Sequence, residues 1–130
     1  MTYEEFDEAV ALAAEQLPDE LFDGLTGGVI TVPTAKLHEM SLPESPLYVA
    51  GQYTRNALGK QVVLYFGSFE KLYGRFGDDA LKSHIREVLL HELKHHWEFR
   101  AGERTLVDED DAGIEAYLLA HSHAGQREER

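Results

Sequence analysis

One stretch in the last third of the chain decides the fold, and it reads Leu89-Leu90-His91-Glu92-Leu93-Lys94-His95-His96-Trp97. It contains a His-Glu-x-x-His pattern inside a run with the composition of a helix. On a helix His91 and His95 lie on one face, one turn apart, so both imidazoles can reach one metal ion. Glu92 lies about 100° further round, beside the open position of the metal. The stretch therefore predicts a metal-activated water with a carboxylate base. The alternative is a surface helix whose histidines are only solvated.

Composition narrows the kind of protein and of metal site. The 130 residues fit one domain, and the absence of Cys means that zinc would be held by His and carboxylate. A formal net charge of −12 disfavours nucleic acid and anionic membranes as partners. The first residues are acidic, unlike a signal peptide, and no apolar run is long enough to span a membrane. We expect a cytoplasmic protein.

The N-terminal residues predict a helix. Thr2-Tyr3-Glu4-Glu5 has the form of a capping box. After it, apolar residues recur at intervals of three and four and form one stripe, and Pro18 marks the end; the stripe consists of Phe6, Ala9, Val10, Ala13 and Leu17.

Three strands are expected in the middle of the chain. The first is Val29–Val32, and the others are Leu47–Tyr53 and Gln61–Phe66, joined by a turn at 56–59. Gly51 suggests a bulge within the second strand. Residues 34–46 lack periodicity and predict a loop, in which His38 is more simply solvated than a metal ligand.

Helices follow the strands. A short one is expected at Phe69–Tyr73, and the long helix should run from Asp78 or Asp79 to about Ala101, with Gly102 just past its end. Asp110-Asp111 opens a last helix, and residues 126–130 form a tail. With helices segregated from a small mixed three-stranded sheet, the fold class is α+β, as a single domain over residues 1–125.

The chain resembles the small bacterial zincin-like metallopeptidases, which are little more than a minimal zincin domain. The resemblance covers nearly the whole chain and rests above all on the doubled histidine at the end of His91-Glu92-Leu93-Lys94-His95-His96. Further matching segments are Glu4–Phe6, Leu17–Pro18, Gly28–Ile30 and Tyr65–Glu70. The resemblance implies a zincin-like fold, a bound Zn²⁺ and hydrolysis of peptide bonds in a peptide or protein substrate.

The third metal ligand does not follow from the family pattern. Its compact form has Gly two residues after the second His of the pair and Asp three residues later, where this chain has Glu98 and Ala101. Glu98 shares the face of His91 but lies about 10 Å along the axis, which would strain coordination. An acid after the turn at Gly102 approaches from another direction. We favour Asp110, then Asp108, with Glu109, Asp111 and Glu98 behind; each of the four acids from 108 to 111 could instead cap the last helix.

The predicted mechanism gives Glu92 the role of general base, which passes a proton to the leaving amine. Tyr117 is the candidate donor to the oxyanion, followed by His96. Tyr117 lies on the apolar stripe of its predicted helix and could instead pack in the core, and His96 could serve only a supporting hydrogen bond. Two other classes remain open: a catalytically idle metal-binding or protein-interaction module with a zincin fold, and a structural metal site, which needs four protein ligands.

Overall fold

The computed structural model describes residues 1–103 of the chain. The predicted last helix, the tail at 126–130 and the acids at 108–111 lie outside the described residues. Inside them, three helices and a small mixed three-stranded sheet confirm the α+β fold class. No helix within residues 1–103 is long and apolar enough to cross a membrane.

Helix α1, Tyr3–Glu15, begins at the predicted capping box. The Thr2 hydroxyl accepts from the Glu5 N–H at 3.1 Å, and the Glu5 carboxylate accepts from the Thr2 N–H at 2.8 Å. The predicted apolar stripe faces the core, where Phe6 and Val10 are buried. A short 3-10 turn, Asp19–Phe22, follows Pro18.

The main sheet has three strands. Strand β1, Gly28–Val32, runs parallel to the central strand β5, Gly59–Tyr65, and β4, Gly51–Asn56, runs antiparallel to β5 on its other side. The hairpin between β4 and β5 closes with two residues, Ala57 and Leu58, and Gly59 takes a positive φ of 115°. The predicted turn is therefore confirmed, and β4 is an edge strand of this sheet.

Two predictions in the region before β4 are wrong. The expected loop at 34–46 contains a two-residue strand β2, Lys36–Leu37, which pairs antiparallel with β3, Tyr48–Val49. The expected single strand at 47–53 is interrupted at Ala50, whose carbonyl accepts from the Tyr65 N–H at 2.9 Å. Strands of two residues are too short to produce a recognisable alternation of polar and apolar residues.

Helix α2, Phe66–Tyr73, begins three residues before its predicted start, and a 3-10 turn at Gly74–Phe76 leads to the long helix. Helix α3, Asp78–Glu103, packs against α1, β4 and β5. Its predicted apolar residues are buried in the core; they are Leu81, Ile85, Val88 and Leu89. Burial of each such side chain contributes roughly 2 kcal/mol to stability.

The predicted place of Gly102 just past the end of this helix, at about Ala101, is wrong, because Gly102 lies within α3, which is described as far as Glu103. A glycine inside a helix costs only about 1 kcal/mol relative to alanine, which adjoining helical turns readily offset. Gly102 alone was therefore a weak signal for a helix end.

Candidate metal centre

The two histidines of the His-Glu-x-x-His pattern lie side by side on α3. Their Nε2 atoms are 3.2 Å apart, and the two rings are nearly perpendicular, at 81°. Nitrogen ligands held about 2.0–2.1 Å from a tetrahedral zinc ion lie about 3.3 Å from each other. The separation of the Nε2 atoms of His91 and His95 therefore fits two ligands of one zinc ion.

The surroundings of the two imidazoles differ. His91 is 6% exposed, whereas the side chain of His95 is 42% exposed and faces the groove described below. The Nδ1 atom of His95 lies 3.5 Å from a carboxylate oxygen of Glu98. Histidine ligands commonly direct their second ring nitrogen at a carboxylate, which fixes the ring orientation. Glu98 thus lies behind His95, on the side opposite to the facing Nε2 atoms.

Glu92 lies against strand β4 and is only 1% exposed. A Cβ atom on Gly51 would stand 3.2 Å from Cγ of Glu92 and 2.5 Å from a methyl of Val88. The absence of a side chain at Gly51 therefore lets β4 approach α3 closely beside Glu92. The register across β4 and β5 is one-to-one at this point, so the predicted bulge at Gly51 is wrong.

His96 faces away from the neighbouring histidine pair and is fully buried. Its Nε2 is 2.7 Å from the carbonyl oxygen of Asp23, which can only accept, so Nε2 carries the proton. In the neutral ring Nδ1 then accepts from the Tyr53 hydroxyl at 2.8 Å. His96 therefore makes a supporting hydrogen-bond network, and this geometry disfavours its use as an oxyanion donor.

A groove of about 1100 Å³ runs between strand β4 and the histidine pair. His91, Glu92 and His95 line one side of it, and residues from β2, β3 and β4 line much of the rest. His38 and Glu39 reach the groove as well, and Nδ1 of His38 accepts from the Met40 N–H at 3.0 Å.

Several groove residues were not singled out from the sequence; they are Lys36, Gln52, Tyr53, Arg55 and Phe99. No local motif marks these residues. Tyr53 and Arg55 alternate along β4 with Gly51, so the period of two in an edge strand was the available signal.

A polar cluster on β2, β4 and β5 anchors one wall of the groove. The Gln52 side-chain oxygen accepts from the ammonium of Lys36 at 2.8 Å and from the hydroxyl of Tyr65 at 3.0 Å. Burial raises the pKa of the Tyr65 phenol, which further favours the neutral form that donates this hydrogen bond.

The predicted third ligand, Asp110, and its alternatives from 108 to 111 lie outside the described residues, as does Tyr117. Within residues 1–103, no three metal-binding side chains of His, Cys, Asp or Glu converge on a common point. The described part of the chain therefore presents two ligand candidates and one adjacent carboxylate.

Comparison with known proteins shows the family and the fold of the chain. No curated protein matches the sequence. A solved structure of a conserved hypothetical protein from Thermus thermophilus is 33% identical, with a TM-score of 0.68, and the match covers 79% of this chain and 100% of that one. The sequence profile of the zincin-like metallopeptidases matches residues 3–112. The chain, in which His91 lies beside His95, therefore belongs to the zincin-like metallopeptidase family.

Proposed function

We propose that the protein is a zinc-dependent peptidase that hydrolyses peptide bonds in the groove beside α3. The observation that carries this proposal is the 3.2 Å separation of the Nε2 atoms of His91 and His95, next to a buried Glu92. Membership of the zincin-like metallopeptidase family supports a metal-dependent peptidase in general. Asp110 is our candidate for the third ligand.

Zinc, when bound, supplies a Lewis acid that polarises a carbonyl and acidifies water. His91 and His95 would hold the ion, and Glu98, 3.5 Å from Nδ1 of His95, would keep that ring oriented. The Glu92 carboxylate accepts a proton from the attacking water and returns it to the leaving amine. Tyr117 is our candidate donor to the oxyanion that develops on the substrate carbonyl.

The position of Glu92 favours a base rather than a ligand. It follows His91 directly, so a helix directs it about 100° away from the line joining the two histidines. Its side chain lies instead against Gly51 of β4, at the wall of the groove. A substrate peptide in that groove would pass next to this carboxylate.

The test is the Glu92→Gln variant, which keeps the shape of the side chain but removes its basicity. We expect zinc affinity to stay within a few-fold of wild type while peptide hydrolysis falls by about 100-fold or more. Zinc affinity is measured by calorimetry, and hydrolysis is measured against a mixed peptide library.

Melting temperature, measured on the same samples, is the control for stability. Wild-type activity in Glu92→Gln would exclude the general-base role. Zinc binding by wild type without hydrolysis of any library peptide would instead favour a catalytically idle metal-binding module.

A further inference from the structure

Two positively charged side chains, Lys36 and Arg55, line the groove of a strongly acidic protein. The sequence has 24 acidic and 12 Lys or Arg residues, and Glu39 and Glu92 line this groove as well. Within residues 1–103, however, neither of these two side chains lies within 4.0 Å of a carboxylate. Both are held by neutral groups instead.

Lys36 lines the groove on strand β2 and is held there by two neighbouring side chains. Its ammonium donates to Gln52 at 2.8 Å and lies 5.6 Å from the centre of the Tyr65 ring. An ammonium has three donors, so this single amide contact leaves it able to bind an anion. Lys36 and Gln52 line the same groove as Glu92, so a peptide bound beside Glu92 can also reach the Lys36 ammonium.

Arg55 is positioned further along β4. Its guanidinium carbon lies 3.9 Å from the centre of the Phe99 ring, and Tyr53 packs on the same ring at 6.4 Å. An arginine stacked on an aromatic face keeps its donors directed outward at its edge, where a carboxylate binds with two parallel hydrogen bonds. Gln52 and Arg55 are three positions apart on β4, so their Cα atoms lie about 10 Å apart and their side chains point to opposite faces of the strand.

We propose that the groove selects acidic peptides, with Lys36 and Arg55 as specificity residues that bind carboxylates on the substrate. An extended peptide beside β4 has the same rise of about 3.3 Å per residue and the same alternation, so side chains three residues apart also lie about 10 Å apart and point to opposite faces, as Gln52 and Arg55 do. This inference rests on the proposed peptidase function, because it names the substrate class of the same groove.

The net charge of −12 acts against this selection at long range but not at contact. Salt screens the field of distant carboxylates within about 8 Å at physiological ionic strength. Hydrogen bonds between a guanidinium and a carboxylate act at contact distance, and each is stronger than a neutral hydrogen bond. At contact, Lys36 and Arg55 therefore favour a peptide that carries carboxylates, although Glu39 and Glu92 line the same groove, while the overall charge mainly lowers the rate of encounter.

The experiment uses labelled peptides of one central sequence that carry Glu, Gln or Lys at two positions three residues apart. Binding is measured by fluorescence anisotropy on the zinc-loaded Glu92→Gln variant, which should not consume the peptides. We expect the Glu peptide to bind about tenfold more tightly than the Lys peptide. Hydrolysis of the same series by zinc-loaded wild type provides kcat/KM.

Substitutions then assign the preference to residues. In the Glu92→Gln background, Arg55→Gln and Lys36→Gln should each reduce the preference for the Glu peptide about threefold or more. Lys82→Gln is the matched control, because Lys82 is an exposed cation of α3 that does not line the groove. Melting curves establish that each variant is folded, and Arg55→Lys separates the planar guanidinium from charge alone.

The outcomes distinguish this inference from the proposed function. Equal binding of the three peptides, or a preference that survives both substitutions, would overturn the role of Lys36 and Arg55. If wild type hydrolyses all three peptides equally well, the peptidase stands and the acidic specificity fails. If the Glu peptide binds selectively but no peptide is cleaved, the specificity stands and the peptidase fails.

Discussion

His95 and His96 are neighbours in the chain with unrelated environments. The side chain of His95 is 42% exposed and directs Nε2 at His91, whereas His96 is buried and bonded through both ring nitrogens. A helix rotates by about 100° per residue, so adjacent side chains must face different parts of the molecule. The doubled histidine therefore combines one candidate metal ligand with one internal hydrogen-bonding group.

Ligand and supporting residues should differ in their effect on zinc affinity. We expect His91→Ala to lower it by at least about 100-fold, since an Nε2 donor is lost. Glu98→Gln should lower it by no more than about tenfold, because Glu98 is 57% exposed and lies 3.5 Å from the outer nitrogen of His95. If Asp110 is the third ligand, the loss of zinc affinity in Asp110→Asn should lie between the losses in His91→Ala and Glu98→Gln. Calorimetry with zinc measures all three.

Lys94→Gln provides the control for this series, as a change on the same helix that removes no candidate ligand. If Glu98→Gln were as damaging as His91→Ala, Glu98 would be a direct ligand and our order of candidates would be incorrect. Unchanged affinity in His91→Ala would exclude a zinc site at this pair.

The sequence predicted the position of His91, Glu92 and His95 relative to one another, because helix geometry relates residues so close in the chain. It did not predict the approach of Arg55 to Phe99 or of Tyr53 to His96. Those contacts depend on how β4 packs against α3, and residues more than 40 positions apart carry no local signal of such packing.

The contact between β4 and α3 also determines the geometry of the candidate site. Gly51 places the strand beside Glu92, and His96 ties the same helix to Tyr53 of that strand. On the other side of α3, Trp97 donates to the carbonyl of Leu21 at 3.0 Å and Arg100 to that of Asp23 at 3.0 Å. The end of the helix that carries the histidines is thus fixed to two separate segments.

Gly51→Ala should destabilise the protein by about 1–3 kcal/mol, because its methyl group would overlap a methyl of buried Val88. Urea denaturation of the metal-free protein measures this change. Activity should fall as well, since the strand would move away from Glu92.

Gly74→Ala is the matched control. Gly74 has helical angles, with φ −57° and ψ −35°, and the atom nearest to an added Cβ would be Cβ of Glu70, at 3.9 Å. We expect it to leave stability unchanged or raise it by up to about 1 kcal/mol. Equal stability of Gly51→Ala and wild type would show that the strand is free to shift, and that close packing at Gly51 does not position Glu92.

The helices and strands could be predicted where the repeat of apolar residues extends over many positions. Helices α1 and α3 and the strands of the main sheet were all expected, because their apolar residues repeat over several turns or alternate over several positions. The ladder of β2 with β3 has no such pattern, and Gly102 lies inside α3 although glycine commonly follows the end of a helix. Both departures from expectation concern features of one or two residues, at which tertiary packing outweighs local preference.

The candidate site has two parts, one formed by residues close in the sequence and one formed by residues from several elements. The histidine pair comes from a single helix, whereas the groove needs β2, β4 and α3 to be assembled at once. Strand β1 also pairs with β5 at a distance of 33 positions, from Gly28 to Gln61. Peptide binding should therefore require the complete fold, whereas the two imidazoles depend on one helix only.

Because His91 and His95 are only four positions apart in the sequence, the denatured chain can be compared with the native state as a ligand for zinc. Closing a segment of four residues costs little entropy, so an unfolded chain with transient helix can still bring His91 and His95 to one zinc ion. A metal that also binds the denatured state raises the melting temperature less than one that binds the native state alone. A third ligand distant in sequence would be brought to the ion only in the native state, so zinc would again bind the native state more tightly than the denatured state.

Thermal denaturation can therefore reveal how far apart in the chain the ligands are. With Asp110 as a ligand, saturating zinc should raise the melting temperature of wild type by several degrees, and Asp110→Asn should lose most of that rise while retaining weak binding. Tight zinc binding with no rise in wild type would mean that the denatured polypeptide competes equally for the ion. In a cell, nascent or misfolded copies of this chain would then sequester zinc as effectively as the finished protein.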